Sequence, residues 1–366
     1  MSQPRIPLLV PDLPKRAELS QYLDQMDQAR WYTNFGPLSR RFERGLQTLF
    51  ANPAPEISTM ANCTLALELA LTGLRLSAGA NVLIPAFTFA ATASAVLRAG
   101  LRPVFADIDP FTWVLTPSIA RAAMRTMRIA CVMPVAALGC PVPVDQWDVF
   151  SEQSGIPVLV DAAAALGNQS AGERVVLAFS MHATKALGIG EGGLVVARDT
   201  EFIARVRRLA NFGIDPTTGR TQDVGSNAKM SEFHAAVGLA ALERWPDRRQ
   251  RRLALHASYC QELARHCPGL TLQSRPADGS YTILQVVLPM GIPRERVIES
   301  LAREDIETRT WYLPLVPDHQ AYRGFATLDL PIARSLGPRM LGLPFHLELS
   351  EENVRRVCAA LARAIS

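Results

Sequence analysis

In the segment FSMHATKALGIGEGG, residues 179–193, a lysine at 185 follows an apolar run, with the Ser180 hydroxyl five positions before it. Glycines stand at 188, 190, 192 and 193. A lysine amine becomes a useful nucleophile where its site lowers its pKa, and its commonest covalent use is a Schiff base with an aldehyde cofactor. The glycines let the backbone turn sharply and come close to a bulky ligand. A lysine among glycines is equally at home on a surface loop, so this chemistry needs partners elsewhere in the chain.

Three candidates supply them. Asp161 follows the apolar run Val158-Leu159-Val160 and precedes the small residues Ala162 to Ala165. A carboxylate in apolar surroundings is costly unless it meets a positive charge. A protonated pyridine nitrogen is such a charge, and a cationic ring draws electrons from a neighbouring carbanion. The plain alternative is a helix N-cap. The segment ANCTLALELAL, residues 61–71, opens a helix with Asn62 and Thr64. Free N–H groups and the helix dipole there suit a phosphate, though simple capping reads the same residues as well. In PAFTFAAT, residues 85–92, Phe87 or Phe89 could stack on a flat heteroaromatic ring or pack into the core. An aldehyde, a pyridine and a phosphate on one molecule describe pyridoxal 5′-phosphate (PLP), with Lys185 as its Schiff-base residue.

The elements that must position these residues read as an α/β fold. Candidate strands are 56–60, 81–84, 103–106, 128–133, 157–160, 175–179 and 193–197. Helical patterns lie between them at 65–76, 90–99, 116–124 and 144–153. This alternation predicts a mainly parallel seven-stranded sheet covered on both faces by helices. In open α/β sheets ligands sit beyond the carboxyl ends of the strands, which is where Asp161 and Phe89 fall. Past Met230 a helical pattern runs to Arg244, meets Pro246 and resumes from Arg248 to His266, so a kink or break is expected at the proline. Residues 1–240 are read as a large cofactor-binding domain, and 241–366 as a connecting helix and a smaller α+β domain. The latter has a strand at 281–288, a helix near 294–304 and a last helix starting at Ser350.

Composition narrows the partners. The chain has 366 residues, 48% of them hydrophobic and 20% charged, an ordinary soluble balance. A net charge of +4 is too mild an excess to argue for nucleic acid. The arginines at 244, 248, 249, 251 and 252 are read as the solvated face of the connecting helix. The six cysteines form no C-x-x-C pair, which suits inert thiols and gives no metal-binding pattern. The start MSQPRIPLLVPDLP has no secretory pattern and no run is long enough to span a membrane, so a cytoplasmic protein is expected.

With these residues in view, the chain resembles the DegT/DnrJ/EryC1/StrS family, the sugar aminotransferases among fold-type I PLP enzymes. The resemblance rests on NFGPLSRRFE (34–43), the Thr64 segment, IPAFTFAAT, GLRPVFADID (100–109), LVDAAAALG (159–167), FSMHATKALGIGEGG, GSNAKMSEFHAAVGL (225–239), RTWYLPL (309–315) and LGLPFHLELS (341–350), in the family's order. It implies that Lys185 and Asp161 are catalytic and that Phe89 stacks on the ring. It further implies that Thr64 and Ser180 hold the phosphate, with Asn227 supplied by the second subunit of a homodimer whose active sites are shared. Cys63 stands where a small residue is usual. Ala164 stands where Gln or His usually contacts the ring hydroxyl, a hydrogen bond that a methyl group cannot donate. His182 is read as a packed residue without a role. Leu315 is followed by Val316, where the family commonly has histidine after an apolar residue.

The implied activity is transfer of an amino group from an amino acid, glutamate by expectation, to a nucleotide-linked keto-deoxysugar. The GSNAKMSEFHAAVGL block is most similar to members acting on dTDP-4-keto-6-deoxyhexoses. Dehydrating members replace the Schiff-base lysine with histidine, and this chain keeps Lys185. A non-sugar ketone or aldehyde acceptor, and a non-catalytic PLP-binding regulatory protein, are the alternatives. The complete set of Lys185, Asp161 and phosphate-binding residues opposes the last of these.

Overall fold

A computed structural model describes residues 4–366. Two helices, α1 (Arg16–Ala29) and α2 (Pro37–Gln47), precede β1 (Glu56–Met60). The alternation then runs α3 (Cys63–Gly73), β2 (Asn81–Pro85), α4 (Ala90–Arg98), β3 (Arg102–Ala106), α5 (Pro117–Met124) and β4 (Cys131–Val132). It continues through α6 (Val144–Ser154), β5 (Leu159–Asp161), β6 (Val176–Ser180), β7 (Gly193–Ala197) and α7 (Thr200–Leu209). The long α8 (Glu232–His266) leads to β8 (Thr271–Leu272), β9 (Leu284–Val287), α9 (Arg294–Arg303), α10 (Pro331–Leu336), β10 (Met340–Leu343) and α11 (Glu351–Ile365).

The first seven strands make one twisted layer in two hydrogen-bonded parts, β3-β2-β4 and β5-β6-β7-β1. The parts join where Val132 bridges Val158 and Val135 bridges Asp161, both in parallel sense. β7 alone runs antiparallel to its neighbours β6 and β1. The mainly parallel sheet expected from the sequence is therefore present. Its strands are largely buried; Val82, Leu83 and Ile84 of β2 are fully buried. The strand expected over 128–133 shortens to two residues.

α8 passes Pro246 without a break, so of the two outcomes expected at the proline, an end to the helix is excluded. A proline inside a helix costs about 3 kcal/mol. Packing on both sides offsets that loss, with Leu239, Ala240, Ala241 and Trp245 buried before the proline and His256, Tyr259 and Leu263 buried after it. The arginine run is likewise not a solvated face. Arg244 and Arg248 both grip Asp12, Arg249 donates to the Asp278 carbonyl, and Arg251 donates to the Leu347 carbonyl. Arg252 is buried. These side chains fasten the N-terminal strap and the C-terminal segments onto α8.

One hydrophobic cluster surrounds the seven-stranded layer, and a second lies between β8–β10 and helices α8, α9 and α11. Ser350 caps α11, and Asn353 returns the bond to its backbone N–H, as its sequence promised. Residues 315–340 pack on the first cluster, far from their neighbours in sequence. Phe105 of β3 exchanges backbone bonds of 2.9 Å with Ala326 and Leu328, covering the sheet edge. The Asp107 carboxylate accepts the N–H groups of Ile332 and Ala333 at 2.8 Å, capping α10. This docking carries residues 309–312 to the strand ends.

Candidate active site

Beyond the carboxyl ends of β2, β5 and β6 lies a cavity of about 420 Å3. Cys63, Thr64 and Phe89 line it, as do Asp161, Ala164, Ser180 and Lys185. These are the residues expected at the cofactor, brought together from four separate stretches of sequence. Asn227 does not line it. That side chain is exposed, and its Oδ1 accepts a 2.7 Å bond from Lys229 Nζ.

Each residue reaches the cavity for a local reason. Asp161 is the last residue of β5, so the run of apolar residues before it buries its carboxylate. The N-cap reading of Asp161 falls, since it ends a strand and no helix begins after it. The capping reading of the Thr64 segment holds for Asn62, whose Oδ1 accepts the Leu65 N–H at 2.9 Å. Cys63 and Thr64 occupy the first turn of α3, where backbone donors and the dipole favour an anion. The two phenylalanines divide the two roles left open by sequence. Phe87 is buried against Trp113 and Tyr312, whereas Phe89 is 61% exposed on the cavity wall.

Glycine is required at two points near Lys185. Gly190 has φ of 97°, a conformation other residues avoid. At Gly193 a Cβ would come within 2.5 Å of the Asn62 carbonyl, so only glycine lets β7 lie against the turn that starts α3.

Burial dominates the electrostatics. It lowers the Lys185 pKa below the ordinary lysine range, with Cys63 and Asp161 opposing. The Lys185 amine is thereby easier to obtain uncharged and nucleophilic. Burial also raises the Asp161 pKa, against hydrogen bonds from Thr92 and Ala163 and the nearby Lys185 charge. Thr92 Oγ1 donates to Asp161 Oδ2 at 2.7 Å, the Ala163 N–H donates to Oδ1 at 3.1 Å, and Thr88 Oγ1 lies 2.7 Å from Thr92 Oγ1. A cationic ring nitrogen would remove most of the remaining cost of that buried charge. Burial pushes the Cys63 thiol well above its usual range, and Asp161 adds to this, so it stays protonated.

Sequence reasoning missed several residues here. Thr88, just ahead of α4, and Thr92, in its first turn, stand four apart, a spacing that does not reveal the carboxylate Thr92 meets. Arg309, Trp311 and Tyr312 line the cavity from the C-terminal segment. His182 was read as packed; instead it is exposed on the cavity wall, with Nδ1 2.9 Å from Thr184 Oγ1 and Nε2 3.9 Å from Glu191. It follows Ser180 and Met181 out of β6, where the chain has left the core.

The residues present fit PLP by three independent features. The cavity brings an amine with a lowered pKa, a buried carboxylate in need of a cation, and the N-terminal turn of a helix to one space. The cavity volume of about 420 Å3 falls within the range of small-molecule sites.

Comparison with known proteins agrees with this geometry. Residues 14–362 match the model of the DegT/DnrJ/EryC1/StrS aminotransferase family. The dTDP-4-amino-4,6-dideoxy-D-glucose transaminase of Escherichia coli is 30% identical over 375 residues, covering 99% of each chain. Among solved structures, a protein from Bacillus cereus described as a putative PLP-dependent aminotransferase superposes with a TM-score of 0.93 at 30% identity. That match covers 98% of this chain and all of the other. DesI, crystallised in the presence of its TDP-sugar product, gives a TM-score of 0.88 at 34% identity over 99% of this chain and 94% of the other.

Proposed function

The chain belongs to the DegT/DnrJ/EryC1/StrS aminotransferase family and is a PLP-dependent aminotransferase, and from that premise we propose that it aminates a nucleotide-linked keto-deoxysugar at the expense of glutamate. Lys185 and Asp161 sharing one cavity at the strand ends is the observation that carries this reading. The relatives that act on dTDP-linked and TDP-linked sugars favour a dTDP-4-keto-6-deoxyhexose as acceptor.

PLP, when bound, supplies an aldehyde carbon for the Lys185 amine and a ring that withdraws electrons from the donor's α-carbon. The chain's own residues do the rest. Lys185 Nζ would hold the cofactor, and its free amine would take the proton from the donor's α-carbon. Its lowered pKa keeps it ready for that transfer. Asp161 keeps a proton on the ring nitrogen, and Thr92 fixes the carboxylate's orientation. Phe89 covers one ring face, while Thr64, Ser180 and the first turn of α3 hold the phosphate. Cys63 and Ala164 complete the wall with small side chains that leave room for the ring.

Asn227 is assigned to the active site of the second subunit of a homodimer. The N–H of the half-exposed Phe212 donates to the Ser226 carbonyl beside Asn227, and Tyr32 and Phe233, also about half exposed, stack on each other at 6.2 Å. Exposed aromatic side chains of this kind suit an interface. Six unpaired thiols, five of them buried, suit a reducing cytoplasm.

Two experiments check this reading. Glutamate added alone to the PLP-loaded enzyme is expected to bleach the visible cofactor band and release 2-oxoglutarate; a panel of nucleotide keto-sugars then restores the band. If glutamate is inert and another amine bleaches the band, the donor is wrong, and if only non-sugar ketones restore it, the acceptor class is wrong. For the shared site, Lys185→Ala and Asn227→Ala chains are mixed after dissociation. Half the dimers become hybrids with one intact site, so about a quarter of wild-type activity should return. Verified hybrids without activity would place Asn227 outside the partner's site.

A further inference from the structure

His182 and Glu191 stand on the active-site wall with hydrogen-bonding capacity that the fold does not use. The register of β6 on β7, in which Ser180 pairs with Gly193, continues beyond the ends of both strands. The Met181 N–H donates to the Gly192 carbonyl and the Ala183 N–H to the Gly190 carbonyl, both at 2.8 Å. His182 and Glu191 are therefore directly opposite each other, and opposite residues of an antiparallel pair put their side chains on one face. That face is the cavity wall. Ser180, His182 and Thr184, alternate residues along one path of the chain, all line the cavity, and so does Glu191.

The imidazole is oriented from behind. The Thr184 backbone N–H donates to His182 Nδ1 at 3.3 Å, and Thr184 Oγ1 lies 2.9 Å from the same nitrogen. A backbone N–H can only donate, so Nδ1 holds the lone pair and Nε2 carries the proton. His182 Nε2 stands 3.9 Å from Glu191 Oε1, too far for a hydrogen bond. Both side chains are about half exposed, and an exposed pair at that separation adds little to stability. Among the described residues, neither Nε2 nor the Glu191 carboxylate has a hydrogen-bond partner.

A donor and an acceptor side by side match two neighbouring oxygens of a polyol. One oxygen accepts from the imidazole, and the other gives its hydroxyl proton to the carboxylate. An amino acid such as glutamate fits the pair poorly, since Glu191 repels its carboxylates. A ketone without hydroxyls would leave the Glu191 carboxylate with no donor.

We propose that His182 and Glu191 form the subsite for the sugar ring of the acceptor, with Nε2–H donating to one sugar oxygen and the carboxylate accepting from the hydroxyl on the adjacent carbon. This inference rests on the acceptor being a nucleotide-linked sugar. It makes the pair the feature that separates sugars from plain ketones.

The test is calorimetric binding of dTDP-glucose, which has no keto group to react, to the holoenzyme, set against binding of dTDP alone. The difference in affinity isolates the contribution of the sugar. His182→Ala and Glu191→Gln are each expected to weaken dTDP-glucose about tenfold and to leave dTDP unchanged, since each loses one hydrogen bond to the sugar. His182→Gln should recover most of that loss, because its amide N–H falls near the position of Nε2. His182→Asn reaches only as far as Nδ1 and should not recover it. Variants that bind dTDP-glucose as tightly as the wild type, or that lose dTDP equally, overturn the subsite. Should His182→Ala not fold, Glu191→Gln gives the same comparison at a side chain of unchanged size. A wild type that binds dTDP-glucose no better than dTDP would instead refute the dTDP-sugar reading, and the subsite with it.

Discussion

Lys185→Ala is expected to reduce transamination at least about 10⁴-fold, the upper end of what a positioned general base contributes. Two losses combine in this variant: the amine that holds the cofactor and the amine that moves the α-proton. Borohydride treatment followed by peptide mapping should fix PLP to residue 185 in the wild type and to no lysine in the variant. A label recovered at Lys229 or Lys15, the other lysines of the chain, would move the chemistry elsewhere. Stability should change in the opposite direction to activity. Burial lowers the Lys185 pKa, so folding disfavours the protonated amine, and the apo wild type carries that cost below the lowered pKa. The cost fades as pH rises toward the ordinary lysine range. Apo Lys185→Ala should therefore melt above apo wild type at neutral pH, with the gap narrowing in alkaline buffer. A gap that widens with pH would contradict a buried, destabilised ammonium.

Much of this site was legible in the sequence because the parallel sheet is simple to read. Strands buried on both faces are short apolar runs, and the residue that ends each run falls at the ligand crevice. Asp161, Ser180, Lys185 and Thr64 are all found that way, each beside a strand end or a helix start. Residues that depend on tertiary docking were not legible. Nothing local to Thr92 says that its hydroxyl meets a carboxylate 69 positions away. Tyr312 reaches the cavity only because residues 326–333 pair with β3 and Asp107, and no periodicity near 312 records that. Whether α8 ends at Pro246 was not legible for the same reason, since the burial that carries the helix past the proline comes from other elements. The arginines of α8 misled because charge in a helical run looks solvated until its carboxylate and carbonyl partners are placed.

Asp161→Asn isolates the carboxylate's charge, because the side chain keeps its size and can still accept from Thr92. With a neutral amide facing it, the ring nitrogen loses the partner that keeps it protonated, and a neutral ring is a weaker electron sink. Loss of one preorganised electrostatic contact of this kind costs about 10²–10³-fold in rate. The fall should appear in kcat more than in KM, since the charge matters while the α-proton is leaving. Stability again discriminates function from scaffold. Burial raises the Asp161 pKa, so the folded apo protein carries the cost of an ionised carboxylate above that pKa and sheds it as the pH falls. Apo Asp161→Asn should accordingly be more stable than wild type near neutrality, and the two should converge in acid. A residue kept against its effect on stability, with activity lost when it is neutralised, is held there for chemistry. If the amide instead lowered apo stability and spared kcat, Asp161 would be a structural partner of Thr92, and the ring nitrogen would have to find its counter-charge in another residue.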